Sequence, residues 1–566
     1  MKINEKTTLK DLFDFSVKTY RNNNSFSFIN GQSYTYEEFG EKVVQLSELL
    51  TSYGISSGDK VALLSQNMPN WPLSYFSAAA FGRVIVPLLP DFSELEITNI
   101  LEHSESKALF ISKKLLNKVP ETILKEMAVV IETDSLEVIF GQPSANKGFI
   151  EYPKAEDLAT IIYTSGTTGH SKGVMLSHLN LCSHLEAASI LRPGYEWDIW
   201  LSLLPLSHTL ECSLSMLLPM LSGSQVYYIE KAPTPTVLLK ALKDVRPTTI
   251  LSVPLIIEKI YKGNILPKFS KNEITKAIYS TSIGRKVLNY IAGIKLKELF
   301  GGRVRFFGIG GAKLDGEVER FLKEARFPYA IGYGLTETAP LLAGATPDMV
   351  KWQSTGPAIH GVTLCIGNPD PVTGEGEILA KGPNVMMGYY KNPEATEEAF
   401  TKDGWFRTKD LGLFDSRGRL YIKGRLNNMI VGPSGENIYP EEIESVINGH
   451  VMVSESIVTQ NDKGNLVARV YFNPEKIKGL GEATEEALNA YYSKKEELMQ
   501  AYEEKKEEIT RAFNEAIEQL KLELCMYVNS RVNKFSRITI VVDQPQQFEK
   551  TATQKIKRYM YTGNNH

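Results

Sequence analysis

The chain has 566 residues, of which 43% are hydrophobic and 23% charged, a size and composition typical of a globular protein with three or four structural units. Its net charge of −3, from 63 basic and 66 acidic residues, argues against a nucleic-acid-binding protein. Its four cysteines lie far apart and form no C-x-x-C pair, which argues against a zinc ribbon or disulfide scaffold and favours a reducing compartment.

The sequence predicts neither a signal peptide nor a membrane span. The first residues are polar and are not followed by an apolar run with a cleavage site. The most apolar stretch, residues 199–229, is interrupted by Pro205, His208, Glu211 and Pro219, so a buried core segment is the better interpretation. We therefore expect a cytoplasmic protein.

Helical and strand patterns alternate through the front of the chain. Residues 37–53 carry apolar side chains close to helical spacing, which predicts an amphipathic helix. Short apolar runs typical of buried strands lie at residues 61–64, 84–89, 107–112, 128–132 and 304–308. This alternation predicts an α/β fold with parallel strands.

The last third of the chain has a different texture. From about residue 361, short strands separated by Gly, Asp and Pro turns predict a small β-rich unit. A strand ends in a polar stretch near Gly424 and Arg425, and we place a domain boundary there, between residues 1–424 and 425–566.

Residues 482–526 have the strongest helical pattern in the chain, with apolar residues three and four apart among Glu and Lys. A solvated helix or helical hairpin that stiffens its domain is the favoured interpretation. A helix that docks a partner or a membrane surface is the alternative.

The strongest chemical signal is the segment 163–173, Tyr-Thr-Ser-Gly-Thr-Thr-Gly-His-Ser-Lys-Gly. Glycines let backbone N–H groups fold closely around an anion, while hydroxyls add donors and a lysine adds positive charge. The spacing does not match the Walker pattern G-x-x-x-x-G-K-[ST]. We predict a phosphate-binding loop, with a flexible polar loop as the alternative. Its candidate donors are Thr164, Ser165, Gly166, Thr167, Thr168, Gly169 and Lys172.

Five motifs in order resemble those of the adenylate-forming (AMP-binding) superfamily, which includes acyl-CoA synthetases, luciferases and peptide-synthetase adenylation domains. The phosphate loop is the first. The others lie at residues 333–338, 404–410, 421–425 with 435–440, and 548–558, so the resemblance spans almost the whole chain. It implies a large N-terminal domain of two α/β subdomains and a small β subdomain, followed by a smaller, mobile α+β C-terminal lid.

The resemblance implies that ATP, Mg²⁺ and a carboxylic acid form an acyl-AMP and pyrophosphate, after which a thiol displaces AMP. Tyr333 and Gly334 would contact the adenine on one side, and Gly310, Gly311 and Ala312 would form the other wall. Thr336 would contact the α-phosphate, and Glu337 would hold the magnesium ion, which prefers oxygen ligands.

The same resemblance assigns the ribose and the lid. Asp410 would accept both ribose hydroxyls, with Ile422 nearby in the nucleotide site. Arg425 would bridge the ribose or a phosphate to the domain boundary. The lid would swivel near Arg425 to Asn428, and would present the loop at Gly435 for thioester formation.

Lys555 is the candidate adenylation lysine, because it falls in the C-terminal motif that the family uses for this purpose. Gln554 precedes it where family members have Gly, and Lys557 is a second candidate. The hinge also departs from the family, with Asn427 where Asp or Lys is common. His208, in Leu-Pro-Leu-Ser-His-Thr, resembles a residue beside the acyl carboxylate, and a hydrogen-bonded core histidine is its alternative interpretation.

Residues 301–315 and the Lys-, Ile- and Tyr-rich stretch 261–300 resemble the long-chain fatty acyl-CoA synthetase branch. The expected acceptor is coenzyme A, with an acyl carrier protein or an acyl-AMP ligase activity as alternatives. A non-catalytic acyl or nucleotide sensor is a further hypothesis. A lipid substrate also suggests peripheral contact with the inner face of a membrane.

Overall fold

The computed structural model describes residues 1–164, 171–230, 234–269, 271–432, 437–461, 464–477, 503–551 and 555–561. It confirms the predicted α/β class. Two large, mostly parallel sheets and a small antiparallel sheet build the N-terminal domain, and a smaller α+β domain follows.

The strands are β1 (Phe26–Phe28), β2 (Lys60–Leu64), β3 (Val84–Leu88), β4 (Ser106–Ile111), β5 (Val129–Glu132), β6 (Val138–Gly141), β7 (Leu158–Thr164), β8 (Lys172–Ser177), β9 (Ile199–Ser202), β10 (Gln225–Tyr228), β11 (Thr249–Ser252), β12 (Phe306–Ile309), β13 (Tyr329–Gly334), β14 (Leu341–Gly344), β15 (Thr363–Gly367), β16 (Gly376–Lys381), β17 (Gly388–Tyr389), β18 (Phe406–Phe414), β19 (Leu420–Arg425), β20 (Ile430–Val431), β21 (Asn437–Ile438), β22 (Val453–Gln460), β23 (Leu466–Phe472) and β24 (Ile540–Asp543).

The α-helices are α1 (Leu9–Thr19), α2 (Tyr36–Ser52), α3 (Asn70–Ala79), α4 (Glu94–Ser104), α5 (Glu121–Glu126), α6 (His178–Leu191), α7 (Thr209–Cys212), α8 (Leu218–Ser222), α9 (Pro235–Val245), α10 (Pro254–Ile260), α11 (Leu266–Phe269), α12 (Glu273–Ser280), α13 (Ser282–Leu299), α14 (Gly316–Glu324), α15 (Pro393–Glu398), α16 (Pro440–Asn448), α17 (Pro474–Ile477) and α18 (Glu503–Asn529). Short 3₁₀ or π turns lie at Lys113–Lys118, Ser213–Leu217, Tyr261–Ile265, Thr336–Thr338, Leu426–Asn428, Lys534–Ser536 and Arg558–Met560.

The first sheet has the strand order β17-β8-β7-β3-β2-β4-β5-β6, and the second has the order β1-β10-β9-β11-β12-β13-β14. Their central strands run parallel. Such strands are covered by helices on both faces, which explains why they read as continuous apolar runs in the sequence. The third sheet, β15-β16-β18-β19, is antiparallel and corresponds to the predicted β-rich unit.

One large hydrophobic core joins the two parallel sheets. Side chains of both sheets, such as Ile85 and Trp200, share it with helices α1, α2, α3 and α6. Two further cores cover the outer faces of the first and second sheets. The C-terminal domain has a core of its own, built on β22, β23, α16 and α18.

The long helix α18 contains the second half of the segment 482–526; residues 482–502 lie outside the described part of the chain. Its periodic apolar residues Phe513, Ile517, Leu520 and Leu524 are buried in the C-terminal core. This part of the segment therefore uses its apolar stripe within its own domain. No helix in the described ranges combines the length and the apolar character that a bilayer crossing needs.

Two buried histidines on α6 are neutral in the folded protein at pH 7. His178 accepts the backbone N–H of Leu9 at 3.2 Å, and burial lowers its pKa to about 4. His184 is fully buried, neither of its ring nitrogens has a hydrogen-bond partner among the described residues, and burial lowers its pKa to about 3. Protonation of either ring would place an unpaired charge in the core, so both residues make the folded state less stable at acid pH.

We therefore predict that acid destabilises the N-terminal domain between about pH 6.5 and 4, at up to about 1.4 kcal/mol per pH unit for each histidine. The unfolded chain binds protons in this window and the folded chain does not, so stability falls as the pH falls. His184→Leu should remove one histidine's share of this slope in thermal unfolding measured against pH. Exposed His360→Leu is the matched control and should leave the slope unchanged; equal slopes for both variants would contradict the prediction.

Candidate active site

The candidate site lies where the parallel strands of the second sheet end. Strands β9, β11, β12 and β13 run in the same direction, so the segments that follow them meet at one edge of the sheet. These segments contain His208, the Gly310–Ala312 wall, and Thr336 with Glu337. The fold thus gathers residues that are more than a hundred positions apart in the chain.

Asp410 is a buried carboxylate with two side-chain partners. Its side chain is buried, the hydroxyl of Tyr333 donates to Oδ2 at 2.7 Å, and Nε of Arg425 pairs with Oδ1 at 2.8 Å. Asp410 and Arg425 face each other across β18 and β19. Burial raises the pKa of Asp410, and the adjacent Arg425 guanidinium and Tyr333 hydroxyl oppose that rise. Each carboxylate oxygen is held by one protein donor and keeps a further lone pair for a ligand.

Glu337 is connected to the phosphate-loop strands by a tyrosine that sequence reasoning missed. The Tyr389 hydroxyl donates to Oε1 of Glu337 at 2.9 Å, and Nζ of Lys172 lies 5.0 Å from the centre of the Tyr389 ring. Tyr389 stands on β17, which pairs with β8. In the sequence, Tyr389 is visible only as one of two tyrosines after Gly388, a pattern that a core strand would also explain.

The predicted phosphate loop is described only at its borders. Thr164 and Lys172 are register partners across β7 and β8, and the Thr164 hydroxyl donates to the Lys172 carbonyl at 3.5 Å. Ser165, Gly166, Thr167, Thr168 and Gly169 lie outside the described residues, as does Gly435. The borders place the ends of the loop next to the Tyr389 and Glu337 pair.

Glycines form a close-packed wall beside Tyr333. A Cβ at Gly334 would lie 1.8 Å from the Pro340 carbonyl oxygen, so only glycine fits there. Gly311 has a φ of +84°, in the region that glycine adopts at little cost. A Cβ at Gly310 would lie 3.4 Å from Leu210, which places the segment after His208 against this wall. Ala312 is exposed at the end of the wall.

His208 is both a helix cap and a neighbour of the candidate lysine. It precedes α7, and its Nδ1 accepts the Leu210 N–H at 3.2 Å, so the neutral ring carries its proton on Nε2. Burial and the positive charge of Lys555 lower the pKa of His208 to about 4. Its position therefore fits both interpretations of the sequence: a residue beside the acyl carboxylate and a hydrogen-bonded core histidine.

Glu211, three residues further on, orients this segment. Its Oε1 accepts the Ser202 hydroxyl at 2.6 Å and the Leu203 N–H at 3.1 Å, and burial raises its pKa to about 7. These bonds join the end of β9 to α7. The sequence indicated Glu211 only as an interruption of an apolar run, because a carboxylate that binds local backbone has no motif of its own.

Lys555 reaches the site from the C-terminal domain. Its side chain is open to solvent space in the cleft, yet protein surrounds it closely enough to lower its pKa by desolvation. Arg425 lowers that pKa further, while Asp410 and Glu337 oppose the effect.

Lys557, the second candidate, lies elsewhere: its Nζ is 3.7 Å from Oε2 of Glu549 on the surface of its own domain. The Thr551 N–H donates to the Lys555 carbonyl at 2.7 Å, and the Lys555 N–H donates to the Thr551 hydroxyl at 3.2 Å. Of the two lysines, only Lys555 has the charged groups of the site as its electrostatic neighbours among the described residues.

Polar contacts hold the C-terminal domain in this position. The Tyr439 hydroxyl donates to Glu375 at 2.6 Å, Lys423 lies 3.1 Å from Glu375 and 3.6 Å from Glu442, and Nζ of Lys262 donates to the Asn448 carbonyl at 2.5 Å. Such contacts exchange readily with water, unlike a buried apolar interface.

Three further residues lie beside Asp410, Tyr333 and Glu337. The Thr408 hydroxyl accepts the Asp410 N–H at 3.1 Å and donates to the Ile378 carbonyl at 2.8 Å, which fixes the backbone of β18 just before Asp410. Ile422 is half-buried in the same apolar cluster as Tyr333. Thr336 opens the 3₁₀ turn that carries Glu337.

The donor set suits a magnesium ion that arrives with a phosphate ligand. Within the described ranges, no three His, Cys, Asp or Glu side chains come together as a metal cage. Glu337 offers one carboxylate, and Mg²⁺ is commonly bound by one or two carboxylates together with substrate phosphates and water.

Comparison with known proteins shows the family to which the chain belongs. Residues 13–390 match the AMP-binding enzyme family. The chain is 30% identical over 530 residues to the peroxisomal long chain acyl-CoA synthetase 7 of Arabidopsis thaliana, covering 83% of this chain and 74% of that protein. It is 26% identical over 557 residues to the chloroplastic long-chain-fatty-acid–[acyl-carrier-protein] ligase AEE15 of the same plant, covering 81% and 75%.

Among solved structures, the o-succinylbenzoate coenzyme A synthetase of Bacillus subtilis, in complex with ATP and a magnesium ion, has a TM-score of 0.73. The match covers 98% of this chain and 99% of the other at 22% identity. This likeness establishes the shared fold.

We predict that Asp410→Asn lowers the affinity for ATP about 10- to 100-fold, because the amide loses the charge-assisted bonds that a carboxylate accepts. Isothermal titration calorimetry of the full chain with ATP would measure the change. Asp403→Asn, which changes an exposed carboxylate in the turn before β18, is the control and should bind as the parent does. Equal affinity for both variants would rule out Asp410 as a ligand-binding residue.

Proposed function

Because the chain belongs to the AMP-binding enzyme family, we propose that it is an ATP-dependent, AMP-forming long-chain fatty acid–coenzyme A ligase. The observation that carries the proposal is the pairing of buried Asp410 with Arg425, with Lys555 as a charged neighbour of that pair. This set offers contacts for a nucleoside, its phosphates and a carboxylate together.

The reaction has two balanced steps. A carboxylate oxygen of the acid attacks the α-phosphorus of ATP, and the bond to the β-phosphate oxygen breaks, giving acyl-AMP and pyrophosphate. The sulfur of coenzyme A then attacks the acyl carbon, the thiol proton leaves to solvent, and AMP departs with the electrons of the acyl–oxygen bond. A free carboxylate needs this activation because its oxide is a poor leaving group.

In the first step, the chain's task is to hold two anions together. Asp410 would accept the ribose hydroxyls while Tyr333 and the Gly310–Ala312 wall enclose the base. Lys172 and Thr164, at the borders of the phosphate loop, would meet the phosphates. Lys555 would lie between the carboxylate and the α-phosphate, where the phosphate charge favours its protonated form.

A magnesium ion bound with ATP would neutralise phosphate charge as it develops on pyrophosphate. Glu337 is the residue that would hold it, and the Tyr389 hydroxyl fixes the direction of that carboxylate. His208, neutral at pH 7, would donate from Nε2 toward the acid without adding a second positive charge beside Lys555.

Similarity to a long chain acyl-CoA synthetase supports a long-chain fatty acid as the substrate. Burial of the acyl chain in an apolar site would gain about 0.8 kcal/mol per CH₂. One methylene would then discriminate only several-fold, so a range of chain lengths is expected. Coenzyme A is the proposed acceptor, and similarity to a carrier-protein ligase makes an acyl carrier protein the second candidate.

We also propose that the C-terminal domain turns about residues 425–428 between the two steps. The turn would withdraw Lys555 and bring the loop at Gly435 to the site. The polar contacts of Tyr439 with Glu375 and of Glu442 with Lys423 cross between the two domains and support a separable interface.

Lys555→Ala should reduce acyl-AMP formation at least about 100-fold, because a positioned charge is lost from the developing transition state. Thioester formation from supplied acyl-AMP and coenzyme A should stay within about threefold of the parent rate. Pyrophosphate release and thioester formation, assayed separately, would measure the two steps.

Lys557→Ala is the matched control and should leave both rates near those of the parent. An equal loss of both half-reactions in Lys555→Ala would contradict its assignment to adenylation. A large loss in Lys557→Ala alone would transfer the assignment to that lysine.

A further inference from the structure

Helices α12 and α13 present a continuous apolar face to solvent. On α12 no residue is buried, and Ile274 and Ile278 are 74% and 45% exposed. The face continues along α13 with five side chains that are 45–78% exposed, namely Ile283, Val287, Tyr290, Ile291 and Ile294. Single exposed apolar residues are normal, but a contiguous patch marks an interaction site.

The spacing shows that this face is distinct from the packing face of α13. Positions 283, 287, 290, 291 and 294 fall within a stripe about 100° wide on a helix. Asn289, Gly293 and Leu296, on the other side, are buried. A Cβ at Gly293 would lie 2.3 Å from the Ala325 carbonyl oxygen, so α13 is seated closely on the domain through that side.

Positive charges border the apolar face. Helical spacing places Lys286 and Lys297 along one side of the stripe and Lys295 along the other. Lys286 also lines an open cleft of about 850 Å³ between α13 and α14, together with Arg320, Lys323 and Arg326.

The carboxylate of this cleft is already paired. Glu324 accepts from Arg285 at 3.0 Å and from Asn289 at 2.7 Å. Tyr290 and the half-exposed Trp352 also line the cleft, and such aromatic side chains suit a boundary between apolar and wet surroundings. The cleft therefore offers positive charge next to exposed apolar area.

We propose that this surface docks the protein on an anionic lipid membrane. The apolar face of α12 and α13 enters the boundary between headgroups and acyl chains, and the basic cleft takes headgroup phosphates. The combination matches a lipid surface in both apolar character and charge. A second copy of the chain fits this surface less well, because two copies facing each other would bring their basic borders together. An acidic protein would match the charge of the cleft but would leave the apolar face on α12 without a purpose.

The inference rests on the proposed function for its purpose, since long-chain acids partition into bilayers. The same chain segment connects the face to the site: α10 begins after Val253, which lies 3.7 Å from a Cβ position at Gly311. The segment from α10 to α13 therefore links the apolar face to the nucleotide wall along the chain.

Co-sedimentation of the full chain with vesicles tests the proposal. Vesicles of phosphatidylcholine alone are compared with vesicles that contain about 30% phosphatidylglycerol. The parent should bind the anionic vesicles about tenfold more strongly than the neutral ones. The triple variant I283S/V287S/I294S should lose about tenfold in binding, and K286E/K323E should lose the preference for anionic lipid.

The matched control replaces exposed apolar residues elsewhere, L95S/V372S, whose parent side chains are 70% and 93% exposed. It should bind as the parent does. Thermal melting and turnover of a water-soluble medium-chain acid should be the same for all variants, because none of these residues belongs to the site.

Absence of vesicle binding by the parent, or undiminished binding by the triple variant, would overturn the proposal. A dimer that the triple variant dissociates, without vesicle binding, would assign the face to a second copy. Retention on an immobilised acidic carrier protein that K286E/K323E abolishes, without vesicle binding, would assign it to that partner. Vesicle binding needs no turnover, so a protein that binds vesicles but ligates no acid would refute the proposed function alone.

Discussion

The pairing of buried Asp410 with Arg425 and Tyr333 is the interaction on which the site depends. A buried carboxylate must be paired and hydrogen-bonded, or its burial costs several kcal/mol. The three partners come from the small antiparallel sheet, the end of its last strand and the second parallel sheet. Satisfying one charge therefore fixes how these parts meet, and Arg425 sits at the start of the segment that leads to the C-terminal domain.

Lys555 completes the arrangement from the other side of the cleft. Its charge lies near Asp410 and Glu337 but also near Arg425, and both the crowding and the like charge lower its pKa. A polyanion such as ATP would reverse this penalty by adding opposite charge. The two cations and two carboxylates of the cleft balance one another, so bound ATP would supply the added negative charge that favours protonated Lys555. Polar contacts between the domains suit the proposed turn of the C-terminal domain.

Sequence reasoning found the parts that have a period or a motif. Parallel strands were visible because burial on both faces makes them apolar throughout, as at residues 84–88. The glycines at 311 and 334 were visible as parts of family motifs, and the structure gives the reason for them: a positive φ at Gly311 and the close Pro340 carbonyl at Gly334. Family motifs brought Asp410, Glu337 and Arg425 into one hypothesis.

Other features could not be seen in advance, because they depend on distant partners. Tyr389 becomes a site residue only through its bond to Glu337, and Glu211 only through the end of β9. The apolar periodicity of α13 and that of α18 look alike in the sequence. The stripe of α13 faces solvent and that of α18 fills a core, because of the two helices only α18 has a sheet against its stripe.

The most direct test of the account is acid-dependent release of AMP and pyrophosphate by the purified chain with Mg-ATP, with and without coenzyme A, across acids from acetate to oleate. The account predicts thioester formation that requires coenzyme A and is fastest with long chains; no acid-dependent AMP release with any acid would contradict it.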